Sequence, residues 1–168
     1  MPAQAQHAGR ERYTVVPRTL IFLTRGDEVL LLKGAPHKRL WANQYNGVGG
    51  HVERGEDVLS AARRELEEET GLRAATLWLC GTVTIDASPE VGVLLFVFRG
   101  TPENPAAPLR ASAEGTLQWV PRDALDSLPL VEDLHVLLPK VLSMHPGHPP
   151  FSARYRYLDE QLEIEFAV

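Results

Sequence analysis

Residues 50–72 read GHVERGEDVLSAARRELEEETGL, and this stretch decides the fold. Its second half predicts a helix of about 13 residues, because Asp57 is a good N-cap residue and Gly71 stands where a left-handed residue ends a helix. Glycines at 49, 50 and 55 permit a loop that brings the backbone close to a phosphate or a metal. The stretch therefore predicts a loop, a helix and a helix terminator.

Three glutamates of the predicted helix, Glu65, Glu68 and Glu69, share one face, because successive helical residues are offset by about 100°. That face adjoins the apolar arc made by Val58, Leu59, Ala62 and Leu66. Such carboxylates repel one another by about 0.2 to 0.5 kcal/mol per pair when exposed, and burial costs more. A divalent cation relieves this repulsion. Mg²⁺ suits carboxylates combined with substrate phosphates, and Mn²⁺ can substitute, whereas the alternative is a solvated acidic face.

The run resembles the Nudix box: a glycine, five residues, a glutamate, seven residues, then Arg-Glu-aliphatic-x-Glu-Glu-x-Gly-aliphatic. Nine fixed positions at fixed spacing make a strong signal. The resemblance implies hydrolysis of a nucleoside diphosphate linked to another moiety, with water attacking phosphorus and divalent cations clamping the attacking and departing oxygens. The specified positions are all filled, by Gly50, Glu56, Arg64, Glu65, Leu66, Glu68, Glu69, Gly71 and Leu72.

The resemblance also implies roles for individual residues. Glu65, Glu68 and Glu69 are expected to be metal ligands, and the Gly50 carbonyl a backbone ligand. One glutamate is expected to orient or deprotonate the attacking water, and the sequence leaves Glu68 and Glu69 both open.

Two further box residues are expected to support the acids. Arg64 resembles the box arginine that pairs with carboxylates and orients them for catalysis, and Glu56 resembles the acid on which that arginine depends. Without the surrounding motif, the same residues would be read as a surface ion pair worth about 0 to 1 kcal/mol. His51 and Glu53 lie in the preceding loop, within possible reach of phosphates or metal.

Outside the box, the chain resembles the MutT-type branch that hydrolyses oxidised purine nucleoside triphosphates. The similarity covers YNGVGG at 45–50, Glu114-Gly115 ahead of Trp119, and the acidic pair Glu132-Asp133. It implies that Glu114 brings a further carboxylate to the metals and that the substrate base is bound by Asn46, Glu132 and Asp133. Asn46 can instead stabilise the turn before Gly47, and Glu114 can be a solvated loop acid.

One position departs from that branch, which often places an aromatic ring for base stacking just before the acidic pair. Here Leu130-Val131 stand there. Stacking can come from Trp119, Trp41 or Phe96 instead, although each ring is also typical of a core residue.

Composition favours a small enzyme of one domain, since 168 residues with 44% hydrophobic content can fill a core. We expect a flexible tail at 1–11 and a single Nudix domain at 12–168.

A net charge of −5 disfavours a nucleic-acid polymer as partner. No apolar run approaches the roughly 20 residues of a membrane span, and MPAQAQHAGRER lacks a signal-peptide core, so a cytoplasmic location is expected. The lone Cys80 is expected to be a core residue.

Strands alternating with helices predict an α/β protein, and the resemblance implies a Nudix fold, an α/β/α sandwich with a mixed β-sheet. We expect a long loop at 101–115, a second long helix at 131–143 and a final hairpin turning at Asp159-Glu160. The other expected strands are residues 13–24, 28–33, 75–86, 91–100 and 116–120, with a short helix at 121–128.

Three functional hypotheses remain at this stage. The first is a Mg²⁺-dependent pyrophosphohydrolase that converts a nucleoside triphosphate, a purine or an oxidised purine such as 8-oxo-dGTP, to monophosphate and pyrophosphate. The second is a hydrolase of dinucleoside polyphosphates, ADP-ribose or another nucleotide conjugate. The third is a sensor that binds a nucleotide without turnover, which the intact acidic set disfavours. The sequence gives no indication of the oligomeric state.

Overall fold

The computed structural model describes residues 12–110 and 113–167, so the expected tail at 1–11 lies outside the described residues. The helices are α1 (Val58–Thr70) and α2 (Leu134–Ser143), and a 3₁₀ helix spans Arg122–Ser127. The strands are β1 (Thr14–Arg25), β2 (Glu28–Gly34), β3 (Tyr45–Asn46), β4 (Ala74–Ile85), β5 (Val91–Pro102), β6 (Gly115–Pro121), β7 (Phe151–Leu158) and β8 (Gln161–Phe166).

Strand β1 lies between β2 and β5 in the sheet. It pairs in parallel with β5 along most of its length, while its last residues turn into the antiparallel hairpin with β2. The order is β3-β2-β1-β5-β4-β7-β8, with β6 also paired to β2. Since β1–β5 and β4–β7 are parallel and the remaining pairs antiparallel, the sheet is mixed as predicted.

The two faces of the sheet bury two separate apolar clusters. Side chains alternate along β1, so Leu20 and Phe22 enter the cluster that contains α2, whereas Ile21 and Leu23 enter the cluster that contains α1. Helix layers therefore cover both faces, which confirms the α/β/α sandwich. Cys80 is buried in the α2-side cluster, as expected of a core residue.

Helix α1 has the predicted length and ends. The Asp57 carboxylate accepts hydrogen bonds from the backbone N–H groups of Leu59 and Ser60, both at 2.9 Å. The helix stops before Gly71, whose N–H donates to the Glu67 carbonyl. Leu66 and Ala62 face the core, so the carboxylates next to them on the helix surface are held at a fixed height above the sheet.

Three details differ from the sequence-based expectations. Helix α2 begins at Leu134 rather than 131, because Val131 donates to the Tyr45 carbonyl and Leu130 bridges to Tyr45. Strand β5 continues to Pro102 into the expected loop. The final hairpin forms as predicted, but alternation along β7 predicts that Tyr157 shares the buried face of Ala153 and Tyr155, and Tyr157 is instead exposed. In the described part of the chain, every helix is too short or too polar to span a bilayer.

Candidate active site

A cleft of about 850 Å³ opens beside β1 and gathers residues from distant parts of the chain. Seven of the residues predicted from sequence line it: Asn46, Gly50, Glu65, Glu69, Glu114, Glu132 and Asp133. His51 and Glu53 line it as well. The remaining predicted residues, Glu56, Arg64 and Glu68, contact the cleft acids or flank them.

The glycine-rich loop runs antiparallel along the free edge of β1. The Thr19 N–H donates to the Gly50 carbonyl at 2.8 Å, and the Ile21 N–H donates to the Val48 carbonyl at 2.7 Å. This pairing places Gly50 directly beneath α1, where a Cβ atom would lie 2.3 to 2.5 Å from the carboxyl atoms of Glu65. The loop backbone and the Glu65 carboxylate are therefore in immediate contact, and a side chain at position 50 would force the Glu65 carboxylate to move.

Glu69 is the partly buried acid of the cleft. Its carboxylate accepts a hydrogen bond of 3.2 Å from the Gly49 N–H. Burial, with a smaller contribution from the negative charges of Glu65 and Glu114, raises the pKa of Glu69 to about 7 against the lowering effect of the Gly49 hydrogen bond. The cleft thus holds negatively charged groups close enough that they make ionisation of Glu69 less favourable.

Arg64 joins the acids that surround it. Its guanidinium donates to both oxygens of Glu56 at 2.7 and 3.1 Å and to Glu65 at 2.9 Å. It also donates to Glu68 at 3.2 Å and to the His51 carbonyl at 3.0 Å. The bond to Arg64 lowers the pKa of the Glu56 carboxyl. Arg64 therefore links the helix to the loop and fixes one oxygen of Glu65.

Two predicted acids form ion pairs with basic side chains in this structure. Glu68 is 61% exposed and pairs with Arg64 at the rim, outside the cleft lining. Glu114 lines the cleft and forms an ion pair with Lys38, which lowers the pKa of the Glu114 carboxyl.

The residues present fit a divalent cation by their chemistry. Glu65 is only 14% exposed, Glu69 is partly buried, and both offer hard carboxylate oxygens beside the Gly50 backbone. Across residues 12–110 and 113–167, however, no three His, Cys, Asp or Glu groups already lie close enough to form a metal cluster.

The predicted base-binding residues are brought into the same cleft. The Asn46 side-chain oxygen accepts a 2.7 Å hydrogen bond from the Gly47 N–H, so its turn-stabilising role is present. Asp133 stands at the N-cap of α2 without making a side-chain cap bond. Burial raises the pKa of Asp133 to about 6, and the charge of Glu132 adds to the effect.

Some cleft residues had not been predicted. Arg18, Lys38 and Tyr155 line it. The Tyr155 hydroxyl is buried and has no hydrogen-bond partner among the described residues. Burial and the negative charge of Asp133 raise the pKa of this hydroxyl. A charged residue within the apolar strand PRTLIFL was the available signal for Arg18.

Two of the three candidate stacking rings lie elsewhere. Trp119 and Phe96 pack against the α1-side cluster, and the Arg25 guanidinium covers Trp119 at 4.3 Å. Trp41 lines the cleft.

Comparison with known proteins agrees with this geometry. The NUDIX domain family model matches residues 14–141, so the chain belongs to the Nudix family, and the expectation of a Nudix hydrolase is confirmed. The oxidized purine nucleoside triphosphate hydrolase of Mus musculus is 28% identical over 156 residues, covering 89% of this chain and 92% of that protein. Its Danio rerio counterpart is 33% identical over 108 residues, 64% of this chain and 67% of that protein.

Two other matches are less complete or more distant. The NAD-capped RNA hydrolase NudC of Haemophilus influenzae is 35% identical over 86 residues, but the match covers 49% of this chain and 31% of that protein. The crystal structure of a MutT protein from Bacillus halodurans superimposes with a TM-score of 0.69 and 24% identity, covering 90% of this chain and 97% of that chain. This last similarity supports the fold.

Proposed function

We propose that this protein is a Mg²⁺-dependent pyrophosphohydrolase that converts purine nucleoside triphosphates, oxidised forms included, to monophosphate and pyrophosphate. The observation that carries the proposal is the arrangement of Glu65 and Glu69, two poorly solvated carboxylates facing a cleft beside the Gly50 backbone. A phosphate chain with its counter-cation is the ligand that such a negative, partly buried site can hold.

A divalent cation, when bound, would supply electrostatic stabilisation of the charge that develops on phosphate oxygens. Glu65, Glu68, Glu69 and the Gly50 carbonyl would hold it, with Glu114 as a further carboxylate. Arg64 keeps Glu65 oriented through the 2.9 Å bond described above. The lining of the cleft also supports a choice that the sequence left open: Glu69 faces the substrate space, so it accepts the proton of the attacking water, whereas Glu68 stands at the rim.

The base of the substrate is assigned to the part of the cleft lined by Asn46, Glu132 and Asp133. Carboxylates and an amide offer acceptors and donors that match the ring nitrogens and exocyclic groups of a purine. The nearly full-length match to the mouse oxidized purine nucleoside triphosphate hydrolase supports this substrate class over nucleotide conjugates. Action on free nucleotides in the cytoplasm, rather than on nucleic-acid polymers, belongs to the same proposal.

The catalytic assignment is tested by a matched pair of substitutions on one helix. Glu69→Gln should lower kcat by about 10²- to 10⁴-fold, because the group that takes the proton is lost while size and packing stay. Glu67→Gln is the control, since Glu67 pairs with Arg73 on the solvent side. Equal rates for Glu69→Gln and the unsubstituted protein would contradict the assignment.

The substrate assignment is tested with a panel of nucleotides and Mg²⁺, followed by separation of products. We expect oxidised and ordinary purine triphosphates to give monophosphate and pyrophosphate faster than pyrimidine triphosphates, ADP-ribose or dinucleoside polyphosphates are cleaved. Asn46→Ala should reduce discrimination between bases more than it reduces turnover. Preferential cleavage of a conjugate would instead favour the second hypothesis, and tight binding without turnover of any member would favour a sensor.

A further inference from the structure

Trp41 is a large aromatic side chain left exposed inside the cleft. It is 43% exposed and follows Leu40, which is 61% exposed and also lines the cleft. The other two tryptophans, Trp78 and Trp119, are half-buried against the two core clusters. An exposed ring of this size inside a cleft offers a flat apolar surface to a planar ligand.

The backbone holds Trp41 in place at an energetic cost. Its φ is 58°, in the left-handed region that bulky residues rarely adopt. The Gln44 N–H donates to the Trp41 carbonyl at 3.1 Å, and the Asn43 N–H donates to the Gly34 carbonyl at 2.9 Å. A Cβ atom on Gly34 would lie 2.4 Å from the Trp41 carbonyl oxygen, so this close approach requires glycine. The ring is therefore presented by a braced loop.

The chemistry of the neighbouring groups indicates what covers the ring. Asn46 and Asp133 line the same cleft and carry groups of the kind that hydrogen-bond to the edge of a nucleobase. An indole ring offers a flat surface, and stacking of a nucleobase on an aromatic side chain contributes strongly to binding. Leu130 and Val131, next to the acidic pair, are aliphatic and cannot supply this flat surface.

We propose that Trp41 is a specificity-determining residue: the base of the bound nucleotide stacks on its indole ring, and purines are preferred because they cover more of it. The inference rests on the proposed function for the presence of a nucleotide in the cleft. It concerns binding alone, so it can be tested without turnover.

The test uses a non-hydrolysable purine triphosphate analogue and its pyrimidine counterpart. In the unsubstituted protein, the purine analogue should quench tryptophan emission. The quench should persist in Trp119→Phe, whose ring lies outside the cleft, and disappear in Trp41→Phe. Trp41→Ala should raise Kd for the purine analogue by about tenfold or more and for the pyrimidine analogue by less. Trp41→Phe should restore most of the affinity.

Inorganic triphosphate serves as the probe without a base. Its Kd should be the same for Trp41→Ala and the unsubstituted protein, and equal losses for both probes would overturn the proposal. A quench that survives in Trp41→Phe would also overturn it. Quenching without hydrolysis of any nucleotide would leave the stacking in place while removing the proposed enzyme activity. Hydrolysis with an unchanged KM in Trp41→Ala would instead leave the proposed enzyme activity in place and contradict the stacking.

Discussion

At the scale of the residue, Arg64 has more contacts than any surface ion pair requires. A single guanidinium binds Glu56 through two hydrogen bonds and also reaches Glu65, Glu68 and the His51 carbonyl. Lysine cannot reproduce this planar fork, so the two cations are not interchangeable here.

Substitution of Arg64 by lysine should therefore weaken metal binding while the charge is kept. We expect Mn²⁺ affinity, measured by titration with electron paramagnetic resonance, to fall by about 10- to 100-fold, because Glu65 loses its orienting partner. Arg73→Lys provides the control, since Arg73 is 67% exposed and pairs with Glu67 on the solvent side of the helix. A similar loss in both variants would contradict a specific role for Arg64.

Spacing alone predicted residue identities at the site only where one local segment supplies them, whereas Asn46, Glu114, Glu132 and Asp133 were predicted from the family resemblance. Spacing within residues 50–69 placed Gly50, Glu65 and Glu69 in one cleft, because loop and helix geometry are local. Lys38 and Tyr155 reach the cleft from segments that approach it only in the folded chain, so no local pattern marks them. Trp119 and Trp41 could not be distinguished for the same reason, since the side of the sheet that each ring faces depends on strand pairing.

At the scale of the element, the two helices begin differently. Asp57 uses its carboxylate to cap α1, whereas Asp133 at the start of α2 leaves its helix uncapped and faces the cleft. The same residue type thus caps one helix and lines the cleft at the start of the other. The sequence predicted the first, but the start of α2 was placed three residues early because the pairing of Leu130 and Val131 with Tyr45 is a tertiary contact.

Removal of the α1 cap should destabilise the protein. Asp57→Ala leaves the N–H groups of Leu59 and Ser60 without their carboxylate partner, and we expect a loss of about 0.5 to 2 kcal/mol in the free energy of unfolding. Urea denaturation monitored by circular dichroism measures it. Asp57→Asn, which keeps an accepting oxygen, should recover much of the loss, and no difference between the two variants would contradict a capping role.

Asp133→Asn should instead raise the free energy of unfolding, by an amount that depends on pH. The pKa of Asp133 is about 6 in the folded protein, above the roughly 3.9 of an unfolded aspartate. Between these values the folded state binds more protons, so the stability of the parent falls as pH rises from about 4 to 6 and then levels off. The variant lacks this titrating carboxyl, so its free energy of unfolding should not fall over the same range. The resulting difference between variant and parent should reach about 3 kcal/mol. A stability difference that does not change between pH 4 and 7 would contradict it.

At the scale of the whole molecule, the sheet separates two hydrophobic cores, and each core holds a different helix. Leu66 anchors α1, which carries the acids, in one cluster, and Leu137 anchors α2 in the other. Both side chains are fully buried. The sandwich itself was predictable from the order of strands and helices and from the box, because each element needs an apolar face covered.

This separation gives a paired prediction. Leu66→Ala and Leu137→Ala should each cost about 2 to 5 kcal/mol in the free energy of unfolding, since each leaves a cavity in a close-packed core. Mn²⁺ affinity should fall only for Leu66→Ala, because α1 can shift relative to the Gly50 loop. Equal Mn²⁺ affinities for the two folded variants would show that the position of α1 is fixed by other contacts.

The parallel pairing of β1 with β5 also means that β1 is synthesised well before the strand with which it pairs. The Thr24 hydroxyl donates to the Gly100 carbonyl, 76 residues later in the chain. At about 5 to 20 residues per second, the nascent β1 waits roughly 4 to 15 s for its partner. Its apolar run, LIFL at 20–23, is unprotected during that interval. Newly made chains should therefore depend on a chaperone more than a helical protein of equal length would.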